Sequence, residues 1–279
     1  MDFIEHDLKT LSSSMHEPFL PSETKTLLLQ LISATHLMHT NWILHRDLKT
    51  SNLLMNNRGQ IKVADFGLAR FTSDPSPKKL THLVVTLWYR APELLLGARE
   101  YGPEVDMWSI GCIFAELLTK DPILKGTTEV DQISKIFTLL GVPTEVSWPG
   151  YRRLPHAKSL TFPRTPATTT SQLRSKFPVL TNQGFDLLSR LLCLDPARRI
   201  TAEEVLRHEY FREEPRPKRE EMFPTFPSKA GGEKRRRRDT PEAPRGGEGE
   251  GGWGEGGGQF LVGAQEEEVG GGFMLKLGR

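Results

Sequence analysis

The chain has 279 residues, 37% of them hydrophobic and 26% charged, with a formal net charge of +2. That length suits one large domain or two small ones, and a charge so near zero argues neither for nor against nucleic acid as a partner. No run approaches the roughly 18 apolar residues of a membrane-spanning helix. Met1-Asp2-Phe3-Ile4-Glu5-His6-Asp7 lacks the basic region of a signal peptide, and two cysteines cannot build a disulfide framework or a Cys/His zinc site.

In chain order, the first strong periodicity spans 22–40. There Leu27, Leu28, Leu31, Ile32, Thr35 and Met38 share one face, with Pro21-Ser22 as the start signal. Leu53-Leu54-Met55 and Ile61-Lys62-Val63 flank Asn56-Asn57-Arg58-Gly59 and predict a hairpin. Residues 104–118 are apolar nearly all round, which predicts a buried central helix. Further helices are predicted at 129–140, 183–193 and 201–208, with an irregular Pro- and Thr-rich connection at 142–180. Cys193, placed on the second of these, is expected to be a small buried hydrophobe.

Sixteen of the 25 glycines fall within 230–279. Such a stretch buries too little apolar surface to offset the entropy of ordering it. The expected division is a folded part, 1–228, and a disordered Gly/Glu-rich tail, 229–279, with the basic cluster Lys234-Arg235-Arg236-Arg237-Arg238. The fold class expected is mainly α with a short β-hairpin.

His45-Arg46-Asp47-Leu48-Lys49-Thr50-Ser51-Asn52 lies between the first long helix and the hairpin. Asp65-Phe66-Gly67 follows the hairpin, and Ala91-Pro92-Glu93 comes later. This ordered set resembles the catalytic loop, magnesium-binding loop and activation segment of protein kinases. The chemistry accounts for the spacing, because phosphoryl transfer needs in-line positioning and charge neutralisation more than covalent help. The resemblance implies that Asp47 takes the substrate hydroxyl proton and that Lys49 meets the transferring phosphate. Asn52 and Asp65 offer the hard oxygens that suit Mg²⁺ on the phosphates of ATP.

Val84-Val85-Thr86-Leu87-Trp88-Tyr89-Arg90 ahead of Ala91 resembles the cyclin-dependent protein kinases, as does Asp65-Phe66-Gly67-Leu68-Ala69-Arg70. Glu5-His6-Asp7-Leu8-Lys9, Trp42-Ile43-Leu44 and His208-Glu209-Tyr210-Phe211-Arg212-Glu213 are most similar to the PITSLRE type. The fold implied is the large, C-terminal lobe of a protein kinase. The resemblance further implies that Thr81 is the activating phosphorylation site and that Arg46 and Arg70 pair with its phosphate. Thr86 would bridge Asp47 and Lys49, while Val84, Val85 and Arg90 would shape a pocket for the proline after the target Ser/Thr. Phe3, Ile4 and Asp7 would contact adenine and ribose. Glu93 with Arg199, and Asp106, would be structural. The implied partners are a cyclin and Ser/Thr-Pro protein substrates, with no membrane and no specific nucleic acid. Nucleus and cytoplasm are the implied locations, and transcription, splicing or the cell cycle the implied settings.

Only 44 residues precede His45, and 22–40 read as a large-lobe helix. A glycine-rich loop, a Val-Ala-Ile-Lys strand and a regulatory-helix glutamate do not fit ahead of it. The expectation is a hinge plus C-terminal lobe, with the N-terminal lobe absent and the chain inactive alone. Losing one transition-state electrostatic group typically costs about 10²–10³ in rate. The alternative is a short, non-catalytic form that binds substrates or regulators. Gly247-x-Gly249-x-x-Gly252 in the tail lacks flanking strands and follows the catalytic loop, so it reads as low complexity. Lys234–Arg238 reads as a localisation signal or a polyanion contact, and Thr240-Pro241 as a proline-directed phosphosite.

Overall fold

The computed structural model describes residues 4–72, 87–158, 160 and 171–226. A two-residue strand, β1 (His6–Asp7), runs straight into α1 (Leu8–Ser14). The Asp7 carboxylate starts this helix by accepting from the Thr10 N–H at 2.8 Å. Leu8 and Leu11 then bury its inner face.

The long helix α2 spans Pro21–Thr40, with Leu20 rather than Ser22 as its cap residue. Proline suits the first helical position because its ring presets φ and its missing N–H is one that the helix leaves unpaired anyway. Glu23 completes the start by accepting from the Leu20 N–H at 3.0 Å.

The hairpin forms as expected from β3 (Leu53–Met55) and β4 (Ile61–Val63), with Leu53 opposite Val63 and Met55 opposite Ile61. Gly59 closes its turn at φ 76°, a conformation that glycine adopts without strain. β1 adds to the free side of β3, placing Asp7 opposite Leu54. A separate pair joins β2 (Ile43–Leu44) to β5 (Arg70–Phe71).

The helices α3 (Pro92–Leu95), α4 (Glu104–Thr119) and α5 (Glu129–Leu140) follow. Then come α6 (Leu173–Lys176), α7 (Asn182–Leu191) and α8 (Ala202–Leu206). Every residue from Val105 to Leu117 is buried, so α4 is the central helix that its composition predicts. It packs against both α2 and α7. A Cβ at Gly111 would fall 2.8 Å from Leu192 Cδ2 and 3.0 Å from Leu191 Cβ, so glycine lets α4 and α7 approach closely without displacing either leucine.

Two expectations need correction. The helix predicted at 183–193 ends at Leu191, and Cys193 lies beyond its cap, half-buried, with burial pushing its thiol pKa up. The connection at 142–180 is not wholly irregular, because Leu173 is buried and anchors α6. Among the described residues the fold is mainly helical with few, short strands.

Candidate active site

The loop between β2 and β3 is organised from below by Asp106, which is fully buried in the first turn of α4. One of its oxygens accepts from the His45 N–H at 2.9 Å and the other from the Arg46 N–H at 2.7 Å. His39 Nε2, from α2, donates to the first of these at 2.9 Å. Two successive backbone amides aimed at one carboxylate force a sharp local bend, and Arg46 sits at φ 66° to make it. Such a conformation persists only where the surroundings over-determine it.

His45 locks the loop from the other side. Its Nε2 donates to the Ala64 carbonyl at 3.1 Å, and its Nδ1 accepts from the Asp47 N–H at 3.3 Å. A carbonyl can only accept, so the ring is held as the Nε2–H tautomer. The ring is fully buried and meets the edge of Phe66. It is a packing and hydrogen-bonding residue.

With the backbone so held, the Asp47 carboxylate receives Lys49 Nζ at 2.7 Å and Asn52 Nδ2 at 3.2 Å on the same oxygen. Asn52 Nδ2 also donates to the Asp47 carbonyl at 2.9 Å. Both contacts come from Nδ2, and among the described residues Oδ1 accepts no hydrogen bond. The Ala64 N–H donates to the Asn52 carbonyl at 2.9 Å, which extends the hairpin ladder and sets Asp65 next to the loop. Asp65 takes the left-handed conformation at φ 64° and accepts from the Gly67 N–H at 3.3 Å. A free amide oxygen and an exposed carboxylate are hard ligands, the donor chemistry that Mg²⁺ prefers. The residues present therefore fit a magnesium ion carried on nucleotide phosphates.

Ile4 and Asp7 lie on the β1 side of the same sheet, so the segment expected to meet the nucleoside adjoins the strand that follows Asn52. Asp7 has one oxygen on the cap of α1. Arg46 donates through Nε to the Leu68 carbonyl at 2.7 Å and through a terminal nitrogen to the Tyr101 hydroxyl at 2.6 Å. Arg70 pairs across β5 with Leu44, two residues before Arg46, so the two arginines share one region. On the far side, Arg90 forms an ion pair with Glu129 at 2.9 Å, and Trp88 Nε1 donates to the Gly126 carbonyl at 3.0 Å. Phe3, Thr81, Val84, Val85 and Thr86 lie outside the described residues.

Beneath the loop lies a buried cluster that no sequence motif marks. Glu116 of α4 accepts from the Thr50 hydroxyl at 3.0 Å and from the Tyr89 hydroxyl at 2.6 Å. Burial raises the pKa of the Glu116 carboxyl, opposed by these two hydrogen bonds. Burial raises the Tyr89 pKa as well. The cluster ties the Asp47 loop to the Leu87–Tyr89 turn through α4. Glu93 and Arg199 clamp that segment further, with nitrogen–oxygen distances of 2.6 and 2.9 Å in a two-pronged pair.

A braced aspartate, a lysine and an asparagine on one loop, next to an Asp-Phe-Gly turn, define a protein kinase site. Residues 1–211 match the family model described as the protein kinase domain, and the chain belongs to that family. Serine/threonine-protein kinase ppk23 of Schizosaccharomyces pombe is 61% identical over 233 residues, covering 84% of this chain and 58% of that protein. Cyclin-dependent kinase 11B of Homo sapiens is 54% identical over 248 residues, covering 88% of this chain and 31% of that protein. The chain thus spans between about a third and three-fifths of the length of these relatives. Among solved structures, the CAK complex of Chaetomium thermophilum bound to ATP-gamma-S matches with a TM-score of 0.73 at 40% identity. That match covers 81% of this chain and 70% of that one.

Proposed function

We propose that this chain is the large lobe of a cyclin-dependent Ser/Thr protein kinase of the PITSLRE type. In the complete enzyme, the γ-phosphate of ATP passes to a Ser or Thr followed by proline. Asp47 orients the substrate hydroxyl, Lys49 and Thr86 steady the transferring group, and Asn52 with Asp65 holds Mg²⁺. Phe3, Ile4 and Asp7 face the nucleoside. Cyclin binding and a phosphate on Thr81, received by Arg46 and Arg70, switch the enzyme on. Val84, Val85 and Arg90 select the proline. Work in nucleus and cytoplasm, with Lys234–Arg238 as a localisation signal, completes the proposal.

The observation that carries this reading is the single Asp47 oxygen held at 2.7 Å from Lys49 and 3.2 Å from Asn52. Similarity to named serine/threonine and cyclin-dependent kinases supports it. Asn52 and Asp65, side by side at the end of the hairpin, are expected to give the chain a Mg²⁺-dependent contact with nucleotide phosphates. The test is the binding of a fluorescent ATP analogue with and without Mg²⁺. Asp65→Asn is expected to weaken the Mg²⁺-dependent part by at least about tenfold. Binding that ignores Mg²⁺ and both Asp65→Asn and Asn52→Ala would overturn the assignment.

A further inference from the structure

Residues 213–226 form a strap that crosses α2 and ends on the turn of the β3–β4 hairpin. Lys25 of α2, only 1% exposed, donates through Nζ to the carbonyls of Glu213 and Pro215 at 2.9 and 3.0 Å. Lys218 is held three times. Its N–H donates to the Ser22 carbonyl at 3.0 Å, its carbonyl accepts from Thr26 Oγ1 at 2.6 Å, and its Nζ meets Glu23 at 2.8 Å. A segment with so little regular structure of its own is ordered only where such bonds offset its entropy.

The far end of the strap is seated on the hairpin turn. Phe223 is buried, and its ring lies so close over Gly59 that a Cβ there would fall 2.8 Å from it. Two asparagines hold this turn differently. Asn56 Oδ1 accepts from the Arg58 and Gln60 N–H groups, which closes the turn from within. Asn57 Oδ1 accepts instead from the Phe226 N–H at 3.0 Å and lies 3.3 Å from His6 Nε2 of β1. The Phe226 ring also meets His6 edge-on. From α2, Gln30 donates through Nε2 to the Gly59 carbonyl at 2.9 Å and accepts on Oε1 from the Ile61 N–H at 2.8 Å. Strap and helix grip the turn between them.

We propose that the strap, acting through Phe223, sets the geometry of the hairpin and thereby holds Asn52 and Asp65 together at its opposite end. Phe223 is then a positioning residue for the metal-bound phosphate. Strands of three residues have too few hydrogen bonds to fix their own arrangement. Asn52 precedes β3 and Asp65 lies two residues beyond β4, with the Ala64 N–H on the Asn52 carbonyl at 2.9 Å as the last rung. A tilt of the turn is carried along both short strands to that rung. The metal-binding role of Asn52 and Asp65 rests on the function proposed above, whereas the coupling of Phe223 to the Asn52–Ala64 rung does not.

The test is amide-resolved hydrogen exchange on the full chain, paired with the binding of a fluorescent ATP analogue. In Phe223→Ala the Asn56 and Ala64 amides, one at each end of the hairpin, are expected to exchange at least about tenfold faster, with α4 affected less. Phe223→Leu keeps most of the buried volume and should restore them. The ratio of affinities with and without Mg²⁺ is expected to fall about tenfold in Phe223→Ala and to recover in Phe223→Leu. Asn57→Ala, which releases Phe226 without opening the core, should move both readouts in the same direction and serves if Phe223→Ala does not fold. Faster exchange at Asn56 alone, or a rise as large in α4 as at Ala64, would overturn the proposal. So would a wild-type Mg²⁺ gain that both Phe223→Ala and Asn57→Ala keep in full. A wild-type chain with no Mg²⁺ gain, whose Ala64 amide still responds to Phe223→Ala, would overturn the metal assignment and support the coupling.

Discussion

Arg199 uses its whole guanidinium inside the fold, on both oxygens of Glu93 and on the carbonyls of Glu104 and Cys193. Both partners are nearly water-free, at 5% and 2% exposure. Removing one member leaves the other charged and buried, which typically costs about 3–5 kcal/mol. Arg199→Met should therefore lower the urea midpoint sharply, and Glu93→Leu added to it should recover much of the loss. A double variant as weak as the single would place the cost in packing instead. Glu116 makes a second prediction at this scale. Its raised pKa means that the folded chain holds that proton more tightly than the unfolded one. Stability from this group is full below the ordinary carboxylate value near about 4.3 and is lost as pH rises through the raised folded value. The stability of the wild type relative to Glu116→Gln should thus grow as pH is lowered from neutrality to the ordinary carboxylate value near about 4.3. A difference that does not vary with pH would contradict this.

Among the elements, the β3–β4 hairpin is the part on which the site most depends, since it brings Asp65 alongside Asn52. Its turn is sensitive at Gly59, where a Cβ would fall 2.8 Å from both the Glu220 carbonyl and the Phe223 ring. With φ at 76° as well, Gly59→Ala is expected to cost more than about 1 kcal/mol, measured as a lowered unfolding midpoint; an unchanged midpoint would contradict the strain. This hairpin was legible in the sequence because two apolar triplets frame an Asn-Asn-Arg-Gly turn. Helix α4 was legible because its burial leaves no polar face. Helix α1 was not, because its signals are a single capping aspartate and two leucines ahead of three serines, which are weak helix formers. The β2–β5 pair was equally hidden, since each strand has only two residues and the two lie far apart in sequence. At the site, Asp47, Lys49 and Asn52 could be read directly because one short loop carries all three. Thr50, Tyr89 and Glu116 could not, because their meeting depends on three segments far apart in sequence.

At the scale of the molecule, a helical core built on α4 presents one loop, one hairpin and one activation-segment anchor. In the reading proposed above, these parts position a hydroxyl and a metal-bound phosphate, with Asn52 and Asp65 as the metal ligands. The measurement that tests this most directly is the affinity of the purified chain for a fluorescent ATP analogue with and without Mg²⁺, beside a variant carrying both Asn52→Ala and Asp65→Asn. The predicted result is a gain in affinity with Mg²⁺ that the double variant loses. An affinity that Mg²⁺ does not change, or a gain that the double variant keeps, would contradict the account.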